Sequence, residues 1–591
     1  MHAETDAERD AVRRGASPLA GIAVVVIGYD DAAHVADAVR SALDQGPAVR
    51  EVVAVDDCSA DGSADVLGRL AAAEPRLRVI RRRANSGGCG TPRNTGLDAV
   101  TSPYVMFLDS DDVLPPGAAD ALLDAARGAQ AEVAGGLCVR RELPSGREVP
   151  WQPRLYALHA AVPHPAGRPR LVHDTLCVNK LYRTAFLREH GIRFPEGRFP
   201  YEDVVFTARL LAAAPRIALI PDRVYVWHVR RSAERLSISL DRAGVANWKA
   251  RTEACRQAYE ILLGAGQKDL ARAARAKFLD HDLRMYLREL GLRDSAYRRA
   301  WWELTRAHLA EYDADDWARN PAAPGRLAGR VVLASPEPRD LPRLRELAAR
   351  PARLRPPYAR AADGTPVWSA GLPQVSLEPL LTGPVRALPL AVDAALRPRA
   401  HGATVVRLRL HELYGRVAQA GPETVEVRWA HRDDGSVVAG GERAVLTPGA
   451  GPQGAGETDG SDRSDGTDRS GGTDRTDRTN RTDRTELTEG EPHDVWSAEV
   501  AVDLAALAAA GAGTWDLRLR LRFRDGSRRD VTAHALTGAG LLRRHAVPSA
   551  RHGVVLVQPY ATHSGALALR LAPGVRGVLS VVRGRLRRLL H

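Results

Sequence analysis

At 591 residues the chain is too long for one hydrophobic core, so roughly three to four domains are expected. Its 44% hydrophobic and 26% charged content is that of an ordinary soluble globular protein, and five cysteines without a CxxC pair exclude a disulfide framework and a structural zinc site, leaving isolated thiols. The net charge of +12 favours acidic partners such as phosphates, anionic polymers or a lipid headgroup surface; nucleic acid is not expected, because the basic residues are dispersed and no recognition motif is present.

Residues 1–20 are polar, lack the basic and apolar regions of a signal peptide, and read as a disordered N-terminus. The apolar run Ala23 to Ile27 is far short of the about 20 residues that cross a bilayer, so a cytoplasmic protein is expected. From residue 21 short apolar runs alternate with helical patterns: strands at Ile22 to Ile27, Glu51 to Val55, Leu77 to Ile80 and Tyr104 to Leu108, helices at His34 to Leu43, Ala64 to Ala73 and Arg93 to Val100. This rhythm predicts an α/β domain with a mostly parallel, doubly wound sheet over 21–241, whose ligands sit at the carboxyl ends of the strands.

Residues 242–345 change to helical spacing alone (Trp248 to Leu263, Leu270 to Leu290, Tyr297 to Leu309) and read as a helical linker. An irregular, Arg- and Pro-rich connection follows at 346–376. Strict alternation in Trp515, Leu517, Leu519, Leu521 and Phe523, repeated in Val425, Val427, Trp429 and in Val406, Leu408, Leu410, predicts an antiparallel β-sandwich over 377–574. Inside it, 448–492 carries a Thr-Asp-Arg repeat with almost no apolar residue and reads as a disordered insertion. The tail 575–591 places Val575, Val578, Leu579, Val582 and Leu586 opposite Arg583 and Arg587; it suits either membrane-surface contact or a helix docked on the protein.

Polar clusters follow the predicted strands. Asp109-Ser-Asp111 suits either a solvated turn before Pro115-Pro116 or a divalent cation, since magnesium and manganese take one or two carboxylates and complete their shell with phosphate. Asp56-Asp57 opens a capped turn and can accept hydrogen bonds from a base or a ribose. The stretch Asn85-Ser-Gly-Gly-Cys-Gly-Thr-Pro-Arg93 joins glycines, which permit close backbone approach, to an arginine placed for a phosphate. No G-x-G-x-x-G follows the first strand, which argues against a dinucleotide site. Glu202-Asp203 opens an amphipathic helix, either as a cap or as a base aimed into a cleft. His228, beside Arg230 and Arg231, suits a structural role, a metal or a diphosphate.

In this order, Val55-Asp-Asp-Cys-Ser-Ala-Asp-Gly-Ser63, Asn85 to Gly96, Phe107-Leu-Asp-Ser-Asp-Asp112, Asn179-Lys-Leu-Tyr182 and Tyr201-Glu-Asp203 resemble the family 2, GT-A fold, inverting glycosyltransferases. The resemblance implies a nucleotide-sugar donor held by Tyr29, Asp30, Asp57, Asn85, Arg93 and Asp109. It implies Mn2+ or Mg2+ on Asp111 and Asp109 with His228 as a further ligand, and Asp203 as general base supported by Glu202. The family's first strand usually ends in Pro-x-Asn, where this chain has Gly28-Tyr29-Asp30. The whole layout is similar to the wall teichoic acid poly(ribitol phosphate) N-acetylglucosaminyltransferases, which implies an anionic polymer acceptor, an immunoglobulin-like C-terminal region and a homotrimer formed through it. A lipid-linked or capsular glycan is the alternative acceptor, and a non-catalytic sugar-nucleotide or glycan-binding protein is the alternative of another class.

Overall fold

The computed structural model describes residues 21–230, 242–399, 404–432, 435–437, 442–449, 495–536, 544–549 and 553–573. The expected disordered N-terminus 1–20 and the tail 575–591 lie outside these residues, as does 450–494 of the Thr-Asp-Arg insertion. Two residues assigned to that insertion belong to the strand Thr447–Gly449, which pairs with Val495–Ser497. Backbone partners satisfied by a neighbouring strand outweigh local composition there.

The chain divides into two compact units, one of 1–348 with 371–380 and one of 349–370 with 381–591. The first is built on β1 (Ile22–Gly28), α1 (Val35–Leu43), β2 (Val49–Asp56), α2 (Ser63–Ala73), β3 (Leu77–Arg81), α3 (Gly90–Ala99), β4 (Tyr104–Asp109), α4 (Ala118–Gly128) and β5 (Val133–Leu143). There follow β6 (Arg147–Pro150), β7 (Ala160–Val162), β8 (Lys180–Arg183), α5 (Thr184–Glu189), α6 (Glu202–Ala212) and β9 (Ile217–Arg230). The sheet runs β3-β2-β1-β4-β8-β5-β9-β7, with β6 on β5. β3, β2, β1 and β4 are mutually parallel, β8 enters antiparallel to β4 and β5, and β9 is parallel to β5. Because helices cover both faces, the parallel strands are apolar throughout: Val24 to Val26, Val52 to Val55 and Val105 to Leu108 are all buried. The result is a GT-A-like α/β unit with a mostly parallel sheet.

The register sets Gly28 opposite Asp56 and Ile27 opposite Asp109. The turns after β1, β2 and β4 therefore leave the sheet along one edge, where crossover sheets take their ligands.

The helices after β9 do not stand apart from this unit. α7 (Val245–Gly264) and α8 (Lys268–Lys277) contribute Ala254, Ala258, Leu262, Leu270, Ala271 and Ala273 to the same apolar core as β1 and β4. The predicted helix 270–290 is interrupted by a π-helical turn at Phe278–Leu283 before Arg284–Leu290. The Arg- and Pro-rich stretch at 346–376 is less irregular than expected. It contains the strands Pro366–Ser369 and Leu372–Ser376, whose Val367, Trp368, Leu372 and Val375 are buried.

The second unit is β-rich. Val392–Pro398, Thr404–His411 and Val495–Ala501 form one sheet with Thr447–Gly449 and Ala533–Ala535. Pro422–His431, Gly513–Phe523, Gly553–Ala561 and Leu567–Pro573 form the body of another. The alternation expected for 515–523 is present: Trp515, Leu517, Leu519, Leu521 and Phe523 are buried, and Arg518 and Arg522 are exposed.

The glycine in Asn94-Thr-Gly96 is a packing requirement. A Cβ there would stand 2.2 Å from Cγ1 of Val25, a fully buried branched side chain that cannot swing away. Gly96→Ala is therefore expected to destabilise the protein by about 1–3 kcal/mol. It should lower the urea midpoint of the first unit without changing the slope of the transition. A wild-type midpoint would show that α3 can lift from β1 without cost.

Candidate active site

The centre of the site is a buried arginine. Arg93 lies in the first turns of α3 with only 3% of its side chain exposed. One guanidinium nitrogen donates to Asp109 Oδ1 at 2.7 Å; the other donates to Glu202 Oε1 at 2.6 Å and Asp203 Oδ1 at 3.1 Å. Beneath it lies an aromatic floor, with Phe194 5.3 Å from the guanidinium carbon, stacked on Phe206 and edge-on to Phe107. Arg93 was expected to help hold a nucleotide. Instead its charge is committed to three carboxylates, which are 16, 109 and 110 residues away in sequence.

Two of the neighbouring glycines likewise serve the protein's own backbone. A Cβ on Gly90 would fall 1.9 Å from the Pro195 carbonyl oxygen, and one on Gly88 would fall 2.5 Å from that of Gly197. The glycines expected to admit a ligand thus let loop 195–197 close over the start of α3. Asn94 secures that closure by donating to the Phe194 carbonyl and the Glu196 carboxylate, both at 3.0 Å.

Glu202 and Asp203 occupy the first turn of α6. Burial pushes Glu202 up to about 7, with Arg93 pulling it down and Asp203 pushing it up again. Asp203 is raised too, by burial first and by Asp109, against the pull of Arg93 and of the Cys177 amide, which donates to its Oδ2 at 3.3 Å.

Asp111 keeps 44% of its side chain exposed. Burial around it, then Asp109 and Asp31, push it to about 6, while Arg230, 3.3 Å away, pulls it down. Its backbone carbonyl accepts from Arg230 at 3.1 Å and lies 3.0 Å from His228 Nδ1. A hydrogen on Nδ1 fits that contact and leaves Nε2 as the lone-pair nitrogen, the form that binds metals. The His228 amide donates to Asp112 at 2.7 Å, and the Tyr225 hydroxyl donates to the other oxygen of Asp112 at 2.7 Å while accepting from the Asp109 amide at 3.3 Å. Burial, then Asp111 and Asp109, hold Asp112 well above the usual carboxylate range. Asp112 and Tyr225 thus orient the whole 109–112 turn against β9. The sequence signals for this were the third acid of Asp109-Ser-Asp-Asp112 and a tyrosine three residues before His228, and neither is distinctive alone.

Among the described residues no three His, Cys, Asp or Glu side chains are arranged to hold a metal by themselves. Asp111 and the free nitrogen of His228, with Asp109 alongside, fit a hard cation that takes few protein ligands and completes its shell with diphosphate oxygens.

On the other side of the cleft, Asp57 is almost fully buried. One oxygen lies 2.7 Å from Arg82 Nε; the other accepts from the Ser86 amide and hydroxyl and from Asn85. Asp30 lies in the left-handed region (φ 49°), which aspartate tolerates, and its amide and carboxylate bond to Ser59 Oγ and the Ala60 amide. Tyr29 beside it is 38% exposed. The loops after β1 and β2 are thereby tied into one wall that carries Tyr29, Asp30, Asp57 and Asn85. Asn179 and Lys180, quoted in the sequence motif, lie in a buried network instead. Lys180 Nζ is 2.7 Å from Asp174, which also accepts from Trp151 and Tyr156.

Residues 23–191 match the family model "Glycosyl transferase family 2". This stretch is a family 2 glycosyltransferase domain. The acid pair at 202–203 lies just beyond it. The chain is 31% identical over 222 residues to the poly(ribitol-phosphate) beta-N-acetylglucosaminyltransferase TarS of Staphylococcus aureus, a match covering 36% of each chain. It is 30% identical over 229 residues to the succinoglycan biosynthesis protein ExoO of Rhizobium meliloti, covering 37% of this chain and 64% of that one. The crystal structure of S. aureus TarS superimposes with a TM-score of 0.49 at 18% identity, covering 94% of this chain and 85% of that one. The sequence match thus spans about a third of the length of TarS.

Two outcomes follow from the acid cluster. A carboxylate raised to about 7 is protonated below that pH and charged above it, so a reaction that needs the Glu202–Asp203 pair ionised gains rate as pH rises through about 7. In Glu202→Gln one negative neighbour is gone, and the midpoint of the kcat/KM profile should move to lower pH. A profile unmoved by that change would remove the pair from the rate-limiting ionisation. Replacing Arg93 with methionine leaves three carboxylates without their cation and should cost about 3–5 kcal/mol of stability at pH 8. The loss should be smaller at pH 5, where the acids take up protons, as read from urea midpoints at the two pH values.

Proposed function

We propose that the chain transfers a sugar, with inversion at the anomeric carbon, from a nucleotide-diphosphate donor to a hydroxyl of an anionic cell-envelope polymer of the teichoic acid type. The observation that carries this reading is the convergence of Asp109, Glu202 and Asp203 on Arg93 at the carboxyl edge of the sheet, facing the wall of Tyr29, Asp30, Asp57 and Asn85. UDP-N-acetylglucosamine is the first donor to try, because TarS is named for that sugar. The matched exopolysaccharide protein supports a second acceptor class, a lipid-linked or exopolysaccharide glycan.

In this reading Tyr29, Asp30, Asp57 and Asn85 hold the base and ribose. Asp203 takes the proton from the acceptor hydroxyl as it attacks, and Glu202 shares the buried negative charge with it. A raised pKa suits this role, because a base near the working pH combines availability with proton affinity. Arg93 keeps the pair fixed without donating a proton, since guanidinium stays charged. A divalent cation (Mn2+ or Mg2+) on Asp111 and His228, with Asp109, would neutralise the charge that develops on the diphosphate. Among the described residues no helix is long and apolar enough to cross a membrane. The reading places the enzyme at the inner face of the membrane, with the basic tail 575–591 against it, and an immunoglobulin-like region at 377–574 holding three copies together.

The test uses purified protein, UDP-N-acetylglucosamine, poly(ribitol phosphate) and Mn2+. Asp203→Asn should reduce transfer by about 10²–10⁴-fold while donor binding is retained. Asp111→Asn should raise the Mn2+ concentration needed for half-maximal rate, and chelation should abolish turnover. Wild-type turnover in Asp203→Asn would remove its assignment as base. Sedimentation at a monomer mass would remove the trimer.

A further inference from the structure

The residue before the acid pair is strained and held from outside the family 2 domain. Tyr201 has φ 72° and ψ 29°, the left-handed conformation that a bulky residue adopts only when its surroundings impose it. No glycine relieves the turn, although one would do so without a steric penalty. What imposes it is visible. The Tyr201 hydroxyl donates to the Asn247 side-chain oxygen at 2.6 Å, and the Tyr286 hydroxyl donates to that same oxygen. Arg251 lies over the Tyr201 ring at 4.2 Å.

Asn247 and Arg251 are four residues apart on α7, so they share one face of that helix. Arg251 is in turn fixed by Asp282 at 2.8 Å, a fully buried carboxylate in the π-helical turn 278–283. Burial opposes the charge on Asp282, but Lys277 and Arg251 hold it down to about 2, so the pair stays ionised. π-turns of this kind place a side chain where a regular helix would not.

We infer that Tyr201 is a positioning residue for Glu202 and Asp203, and that the Arg251–Asp282 pair of the helices after β9 sets it through the tyrosine ring. The inference rests on the catalytic reading of the acid pair. Glu202 and Asp203 directly follow Tyr201, so any rotation of its backbone turns the first turn of α6 and moves both carboxylates relative to Arg93. A displacement of about 1 Å in such a group costs on the order of 10²-fold in rate. The helical segment therefore acts on catalysis through the aim of the base, with no contact to the reacting atoms.

The test compares Tyr201→Phe, Tyr201→Gly, the double variant Arg251→Met/Asp282→Leu and, as reference, Asp203→Asn. Glycine accepts the backbone conformation but discards the tether, whereas phenylalanine keeps the ring under Arg251 and loses only the hydroxyl. The double variant removes a buried pair together, avoiding an orphaned charge. Expected are a fall in kcat of about 10²-fold for Tyr201→Gly, about tenfold for the double variant and less for Tyr201→Phe, with donor KM within about twofold throughout. Melting temperatures and active-site titration separate this from loss of folded protein. If Tyr201→Gly or the double variant keeps wild-type kcat while Asp203→Asn is inactive, the positioning role is overturned and the catalytic reading stands. If Asp203→Asn is itself fully active, both are overturned.

Discussion

Three carboxylates from two distant parts of the chain meet one arginine in a space almost closed to water, and most of the site is arranged around that fact. Burying a lone guanidinium or a lone carboxylate costs several kcal/mol, so neither Arg93 nor its acids can be placed there separately. Asp109 arrives at the end of a central strand, and Glu202 and Asp203 arrive at the start of α6. Their excess negative charge is not fully balanced, which is why both members of the acid pair sit above the ordinary carboxylate range. A catalytic centre gains from that imbalance, because a carboxylate that holds a proton too weakly makes a poor base.

The 109–112 turn shows a division of labour among adjacent acids. Asp109 faces the arginine, Asp111 faces the cleft, and Asp112 turns inward to Tyr225 and the His228 amide. The inward acid lets β9 and the turn move as one body. The imidazole of His228 and the Asp111 carboxylate consequently hold their relation whether or not a ligand is present. Such pre-set geometry lowers the reorganisation needed when charge develops on a leaving group.

Much of this was legible in the residues. Strands and helices of the first 110 residues fall within a few positions of their expected places, because parallel strands buried on both faces are continuous apolar runs. The acids themselves were legible as clusters after strands. Their partners were not. Arg93 looked like a phosphate ligand because its attachment to residues more than a hundred positions away has no local signature. The glycines at 88 and 90 looked like ligand contacts, because a sequence does not say whose backbone comes close. β8 was also hidden: it is four residues long and runs against its neighbours, and only its long-range pairing with β4 and β5 makes it a strand. In the second unit, the alternation at 515–523 was plain because one face is wet and the other dry.

The sharing of one apolar core between the strands and α7 and α8 bears on how this protein came to be divided and how it can be divided again. Val204, Ala208 and Leu211 on α6 and Ala254, Ala258 and Leu262 on α7 line one small cavity, in contact with each other's helices. A gene fragment ending where the recognisable motifs end would leave that face bare to water and prone to association. The heritable module is therefore larger than its signature. Recombination that exchanges acceptor-binding regions among such enzymes would be expected to cut after the helices rather than between them and the sheet.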